Sequence, residues 1–394
     1  MSAVLVLQTA RRRDVADDAA LGAVARALFP ANVVAATADP DRTSRAVDLP
    51  VVPATSASLL RLMTTVDTLV VLGGRPLQAD AGTETLGLSA VYSVATAYRL
   101  AGKRVALVGV GAGETTGRGG RLVRQTVLGS ALTVLDSDAS AAHVASVGVP
   151  PPFRVGPDLA WLDLQAPPPP PAPHGPVRLP VGSDELSAAG GAAALATLLR
   201  PVLDAVRAQR PSAGDVVVQA RRRGESAGDD LDAADAVAAA LTATGAPATV
   251  EPAATTLSTR RDELGRSGFA LCGDPRTMMA AAAAAVPVLG WAVDARGRAA
   301  ARELEIPLVG AADELPGGVD LAVETAAGRA GSVHSAARRH VAAAGDVLDL
   351  LTLLVSEGDA AAHPAAQGAS TTTSAPGVEG RPAPSGLRPP GVTR

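Results

Sequence analysis

Arg104-Val-Ala-Leu-Val-Gly-Val-Gly-Ala-Gly113 is an apolar run that ends in glycines at alternate positions, Gly109, Gly111 and Gly113. An arginine-bearing segment around Arg121-Leu-Val-Arg124 follows, and a second apolar run, Leu132-Thr-Val-Leu135, closes the stretch before Asp136. Two buried strands with a helix between them predict a βαβ unit. A βα turn of this kind brings backbone N–H groups and a helix start to the carboxyl edge of a parallel sheet, where anions are held. The glycine turn is therefore the expected substrate-binding seat, with Arg121 beside it.

Outward from this unit the same alternation continues. Val4–Leu7 and Val33–Thr37 are apolar without a break, the mark of strands covered on both faces, and a helix with Asp17 and Asp18 in its first turn lies between them. Val66-Asp-Thr-Leu-Val-Val-Leu-Gly-Gly-Arg75 predicts a strand running into a glycine turn. Arg75 stands where a third glycine would be expected, so either the turn is reshaped or an arginine enters the cleft. Beyond the proline run from Pro167 to Pro173, strands at 177–181, 215–220, 248–251, 269–273, 287–291 and 306–309 alternate with helices, and a last helix spans 332–355. The expected architecture is α/β: two Rossmann-like domains. The expected boundaries are 1–165 for the first domain, 166–175 for an extended proline linker, 176–357 for the second domain and 358–394 for a tail too poor in large apolar residues to fold.

The 394 residues suit two domains. Only 2% are aromatic, so alanine, valine and leucine must build the core, and Lys103 is the sole lysine, which reflects a GC-rich coding bias. A net charge of −4 gives no general attraction for nucleic acid or an anionic membrane. The one cysteine, Cys272, excludes an internal disulfide framework and fits a reducing cytoplasm. The basic residues near the N-terminus follow the apolar run, the reverse of an export signal. The Ala-rich run from Thr277 to Val293 is broken by Pro287 and is too short to span a membrane. No Cys/His cluster suggests a metal, no cofactor is expected, and the five histidines form no nucleophile-base-acid constellation.

Gly109, Gly111, Gly113, Arg121, Asp136, Ser140, Gly148, Asp158 and Ala160 fall in the order and near the spacing of motifs in the polysaccharide pyruvyl transferase family, which the chain resembles. The resemblance extends to Asp17-Asp18-Ala19, to Asp39-Pro-Asp-Arg-Thr43 and to the Gly73-Gly74 turn. It implies the GT-B arrangement, with the two Rossmann-like domains facing one another across a cleft, and transfer of a pyruvyl group from phosphoenolpyruvate to a glycan or glycolipid acceptor. By position it implies catalytic roles for Asp18 and Arg276, and substrate contacts from Arg75, Gly109, Gly111, Gly113, Arg121, Asp294 and Arg296. The same alignment puts Arg276 where the family has a general-acid histidine, and Leu135 where it has an arginine. A guanidinium keeps its proton in a protein, so two further readings stand beside the first: a catalytically silent relative that binds a partner, and a sugar-nucleotide glycosyltransferase on the same architecture.

Overall fold

The computed structural model describes residues 3–8, 15–28, 32–78, 86–115, 117–167, 172, 174–211, 214–222, 228–291, 295–309 and 318–362. The first part of the chain forms β1 (Ala3–Gln8), α1 (Val15–Ala27), β2 (Asn32–Thr37), α2 (Pro40–Ala46), β3 (Val51–Pro53), α3 (Ser56–Leu62) and β4 (Thr68–Leu72). It continues through α4 (Leu88–Leu100), β5 (Arg104–Val110), α5 (Arg118–Leu128), β6 (Leu132–Leu135), α6 (Asp138–Ser146) and β7 (Arg154–Val155). These strands make one parallel sheet in the order β3-β2-β1-β4-β5-β6-β7. The order reverses between β1 and β4, so the loops after these two strands diverge and leave a crevice at the carboxyl edge.

A 3-10 helix at Leu159–Leu164 leads into the second part: β8 (Val177–Val181), α7 (Ser183–Ala188), α8 (Ala192–Gln209), β9 (Val216–Ala220), α9 (Gly228–Ala243), β10 (Ala248–Glu251) and α10 (Leu257–Gly265). Then come β11 (Phe269–Cys272), α11 (Pro275–Ala283), β12 (Val288–Gly290), α12 (Ala295–Glu303) and α13 (Gly318–Ala362). Its parallel sheet has the order β10-β9-β8-β11-β12, with the reversal between β8 and β11. The two parallel α/β units are those expected. The proline run and the tail lie largely outside the described residues.

One buried apolar cluster joins the units. It contains Val4, Val6, Leu21 and Val24 from the first and Leu264, Met278, Ala281 and Ala282 from the second. Alanine makes this close approach possible, since α11 is buried along nearly its whole length and larger side chains would hold the two sheets apart. Helix α13 crosses back onto the first unit through Val333, Ala337, Ala344, Val347 and Leu351. There His340 stacks on Trp161 with ring centroids 5.2 Å apart, and Arg104 donates to the carbonyls of Leu354 and Val355. Burial and the neighbouring Arg339 charge push the His340 imidazole below its ordinary range, so the stacked ring is neutral at pH 7. Ser258 N–H to Asp163 (3.1 Å) and Arg261 to the Ala166 carbonyl (3.2 Å) add polar ties between the units.

Several local expectations change. The segment 38–43, expected as a turn after the second strand, is instead the start of α2: Pro40 is pre-set for a first helical position, and the Asp39 carboxylate accepts the Arg42 N–H at 3.0 Å. The expected strand at 306–309 is reduced to a bridge between Gly290 and Leu308. Helix α13 runs well before residue 332, through Gly328 and Gly331. Glycine costs about 1 kcal/mol in a helix interior, and burial of Val323, Ala326 and Val333 offsets it.

Candidate functional site

The glycine turn after β5 is closed by the protein itself. Gly109 takes a positive φ of 63° at a register shift between Val108 and Val110, a conformation for which a residue with a Cβ is poorly suited. The Gly111 N–H donates to the Gly74 carbonyl at 2.8 Å, Ala112 N–H to Ser140 Oγ at 3.0 Å, and Gly113 N–H to the Leu77 carbonyl at 3.4 Å. Three N–H groups that could have cradled an anion are thus bound to protein acceptors. A Cβ on Gly111 would lie 2.7 Å from Asp136 Oδ2, 2.8 Å from Arg75 Cγ and 3.2 Å from the Gly74 carbonyl. The glycines allow the loop after β4 to lie on the loop after β5.

That geometry carries a prediction. Asp136 cannot swing aside freely, because Ser137 and Ser140 hydroxyls hold Oδ1 at 2.8 and 2.6 Å. Gly111→Ala is expected to destabilise the chain by about 1–3 kcal/mol, the range for overpacking, read as a lower thermal midpoint. An unchanged midpoint would mean that the loop after β4 moves without cost.

Arg75 lies along this turn. Gly73 and Gly74 take the positive φ values of 63° and 71°, which leaves Arg75 in an ordinary conformation, its Nη1 3.5 Å from Gln78 Oε1. The Arg75 side chain thus lies against the loop after β5, beside Gly111 and Gln78. Arg121 is exposed on α5, with no ion pair among the described residues. Asp294 and the side chain of Arg296 lie outside the described residues.

The two units meet chemically at Arg276. Its guanidinium reaches from the first turn of α11 to the Asp17 carboxylate on α1, with Nη1 2.8 Å from Oδ2 and Nη2 on Oδ1. Each residue follows a strand that borders the reversal in its own sheet, β1 for Asp17 and β11 for Arg276. The acid singled out from the sequence, Asp18, is turned away and pairs with Arg42 at 3.3 Å. Asp17 shares the stripe of Ala20, Leu21 and Val24, which faces the second unit.

Asp158 completes the group. Its Oδ1 accepts the Ala160 N–H at 2.9 Å at the start of the 3-10 helix. Burial, then the charges of Asp17 and Asp136, hold its carboxyl above the ordinary aspartate range, while Arg276 and the Ala160 N–H pull the other way. A cation paired with one carboxylate, and within electrostatic reach of a second whose pKa is raised, marks a place where a proton can be moved. The sequence reading quoted Asp158 without giving it a role.

Asp274 is the cap of α11. Its carboxylate accepts from Arg276 N–H (2.9 Å), Thr277 N–H (3.3 Å) and the Thr277 hydroxyl (2.5 Å). Burial and the Asp274 charge raise the Cys272 thiol well above its usual range, so this cysteine is no nucleophile near neutral pH. Among the described residues no group of three His, Cys, Asp or Glu side chains could hold a metal ion, and no helix is long and apolar enough to cross a membrane.

No protein-family model and no curated protein matches the chain. Solved structures do match its fold. UDP-GlcNAc 2-epimerase from Neisseria meningitidis, bound to UDP-GlcNAc, superposes with a TM-score of 0.57 at 12% identity over 90% of this chain and 100% of its own. A glycosyltransferase from Rickettsia africae gives 0.57 at 9% identity over 90% and 98%. Anabaena Alr3699/HepE in complex with UDP-glucose gives 0.53 at 12% identity over 92% and 100%.

Proposed function

We propose a function from the architecture, two parallel-sheet Rossmann-like domains of the GT-B kind, whose likenesses also correct the resemblance read from the sequence. The neighbours are 2-epimerases and glycosyltransferases, not pyruvyl transferases, and no family model supports the motif order. Phosphoenolpyruvate and the roles implied for Asp18 and Arg276 in pyruvyl transfer fall with that assignment. The physical reason lies in the turn: its glycines answer to the packing of two loops, which any chain of this architecture can require.

We propose that the chain is a sugar-nucleotide enzyme, binding a nucleoside-diphosphate sugar in the cleft between the two domains and acting on its sugar. The observation that carries the reading is the Arg276, Asp17 and Asp158 group, drawn from both units where the two carboxyl edges meet. Neighbours of the same fold hold UDP-glucose and UDP-GlcNAc. Transfer of a glycosyl group takes a proton from an acceptor hydroxyl, and inversion at C2 takes one from carbon. Both need a base. Asp158 is the carboxylate suited to it, because a raised pKa makes the ionised carboxylate a stronger proton acceptor. Arg276 offers a planar pair of donors to the diphosphate. A glycan acceptor is compatible with the transferase form of this reading.

Calorimetric titration with UDP and UDP-GlcNAc tests the proposal. Dissociation constants between about 1 μM and 1 mM are expected, the range in which enzymes usually hold substrates. Incubation with UDP-GlcNAc and a glycan panel should give either free UDP or the C2 epimer by chromatography. Absence of binding to either nucleotide at millimolar concentration would remove the reading.

A further inference from the structure

We infer that Asp17 is a built-in occupant of an anion seat on Arg276, which a phosphate-bearing ligand must displace. The diphosphate identity of that ligand rests on the sugar-nucleotide reading; the seat itself rests on the geometry that follows.

The Arg276 fork is held by Asp17 in the two-point manner in which a guanidinium takes a phosphate or carboxylate. The pair is not a deep core contact on both sides: the Asp17 side chain is 9% exposed, that of Arg276 24%. Arg276 is thus the more accessible partner to an incoming anion, while the Asp17 carboxylate is buried against the protein. The other feature of α11 that might have taken an anion is already closed, since Asp274 accepts the Arg276 and Thr277 N–H groups. A second carboxylate, Asp158, acts on the same guanidinium charge. An incoming diphosphate thus exchanges with Asp17 on one guanidinium.

The exchange has a thermodynamic consequence. A ligand that needs Arg276 binds with an affinity reduced by the fraction of molecules in which Asp17 holds it. If Asp17 holds it in about nine molecules of ten, removing the carboxylate strengthens binding about tenfold. Asp17 also ties α1 to α11, so the exchange loosens one link between the domains as the ligand arrives.

The experiment measures binding of inorganic pyrophosphate and of UDP to the full chain as wild type, Asp17→Asn, Asp17→Ser, Arg276→Gln and Asp17→Asn/Arg276→Gln. The Gln8 side chain bonds to the main-chain carbonyl of Asp17, so both replacements at 17 leave that contact in place, and the serine variant guards against a fold defect peculiar to asparagine. Both probes should bind the Asp17 variants about tenfold more tightly than wild type. Arg276→Gln should weaken both by tenfold or more, and the double variant should show none of the gain. Pyrophosphate tightening without UDP binding to any form would uphold the seat and remove the nucleotide reading. UDP binding to wild type, with neither probe tightened by the Asp17 variants, would overturn the inference and leave the nucleotide reading in place. Binding of neither probe to any form would overturn both.

Discussion

Replacing Asp230 by alanine is expected to cost about 3–5 kcal/mol of stability, the range for removing one partner of a buried ion pair. Asp230 has no exposed surface, and its two oxygens accept from Ser183 N–H (2.9 Å), Ser183 Oγ (3.0 Å) and Arg222 N–H (3.0 Å). The Arg222 guanidinium adds Nε at 2.8 Å and Nη2 at 2.9 Å. The carboxylate therefore joins the ends of β8 and β9 to α9. Alanine would leave the Arg222 side chain, itself only 9% exposed, without its buried partner. Urea denaturation compares the unfolding midpoints of wild type, Asp230→Ala and Asp230→Asn, the last keeping acceptors but no charge. A loss under 1 kcal/mol in the alanine variant would show that water replaces the carboxylate at little cost.

The pH dependence of that difference has a fixed sign. Burial by itself would raise the Asp230 pKa, but the Arg222 hydrogen bonds, the Ser183 N–H and the Arg222 and Arg221 charges outweigh it, so the folded value lies below the ordinary 3.8. A carboxyl whose folded pKa is depressed contributes stability that is fully present above its unfolded pKa and is lost as pH falls through the folded one. The gap between wild type and Asp230→Ala should thus be constant from neutral pH down to about 3.8 and close below it.

Both buried acids carried a mark in the sequence. Asp230 heads the series Ala233, Ala234, Val237, Ala238 and Leu241, and Asp17 heads Ala20, Leu21 and Val24, each acid one turn from the apolar stripe it extends. An acid in register with a buried stripe must be paired. Asp17 and Asp18 share the first turn of α1, but the 100° between adjacent residues on a helix puts only Asp17 in register with the stripe. The sheet was legible for a related reason: strands covered on both faces carry unbroken apolar runs, as at Val4–Leu7 in β1, Leu69–Leu72 in β4 and Val105–Val108 in β5. Helix α10 was not, because its Arg260 and Arg261 are buried and bonded to carbonyls, Arg260 to that of Arg221, so its sequence looks like a solvated charge run. The three-residue β3 and six-residue α7 are too short to show a period. The glycine turn misled for the opposite reason: in a chain with 40 glycines, alternate glycines after a strand are common, and here they serve the close approach of two loops.

Asp158→Asn is expected to lower kcat/KM by about 10²–10⁴-fold, the usual contribution of a positioned base, with the fold intact. The amide oxygen of asparagine can still accept the Ala160 N–H that starts the 3-10 helix, so the loss would lie in proton transfer. The pH profile separates this role from a structural one. A base works when ionised, so the rate should rise as pH rises through the raised pKa of Asp158 and level off above it. The Arg276 charge lowers that pKa and the Asp17 charge raises it. Arg276→Gln should therefore move the acid limb of the profile to higher pH, and Asp17→Asn should move it to lower pH. A packing defect would not shift one limb in opposite directions in two variants that break the same ion pair. The measurement is kcat/KM for UDP release or C2 epimerisation of UDP-GlcNAc from pH 4 to 9. Retention of activity in Asp158→Asn, with its acid limb where wild type has it, would place the base on another residue of the cleft.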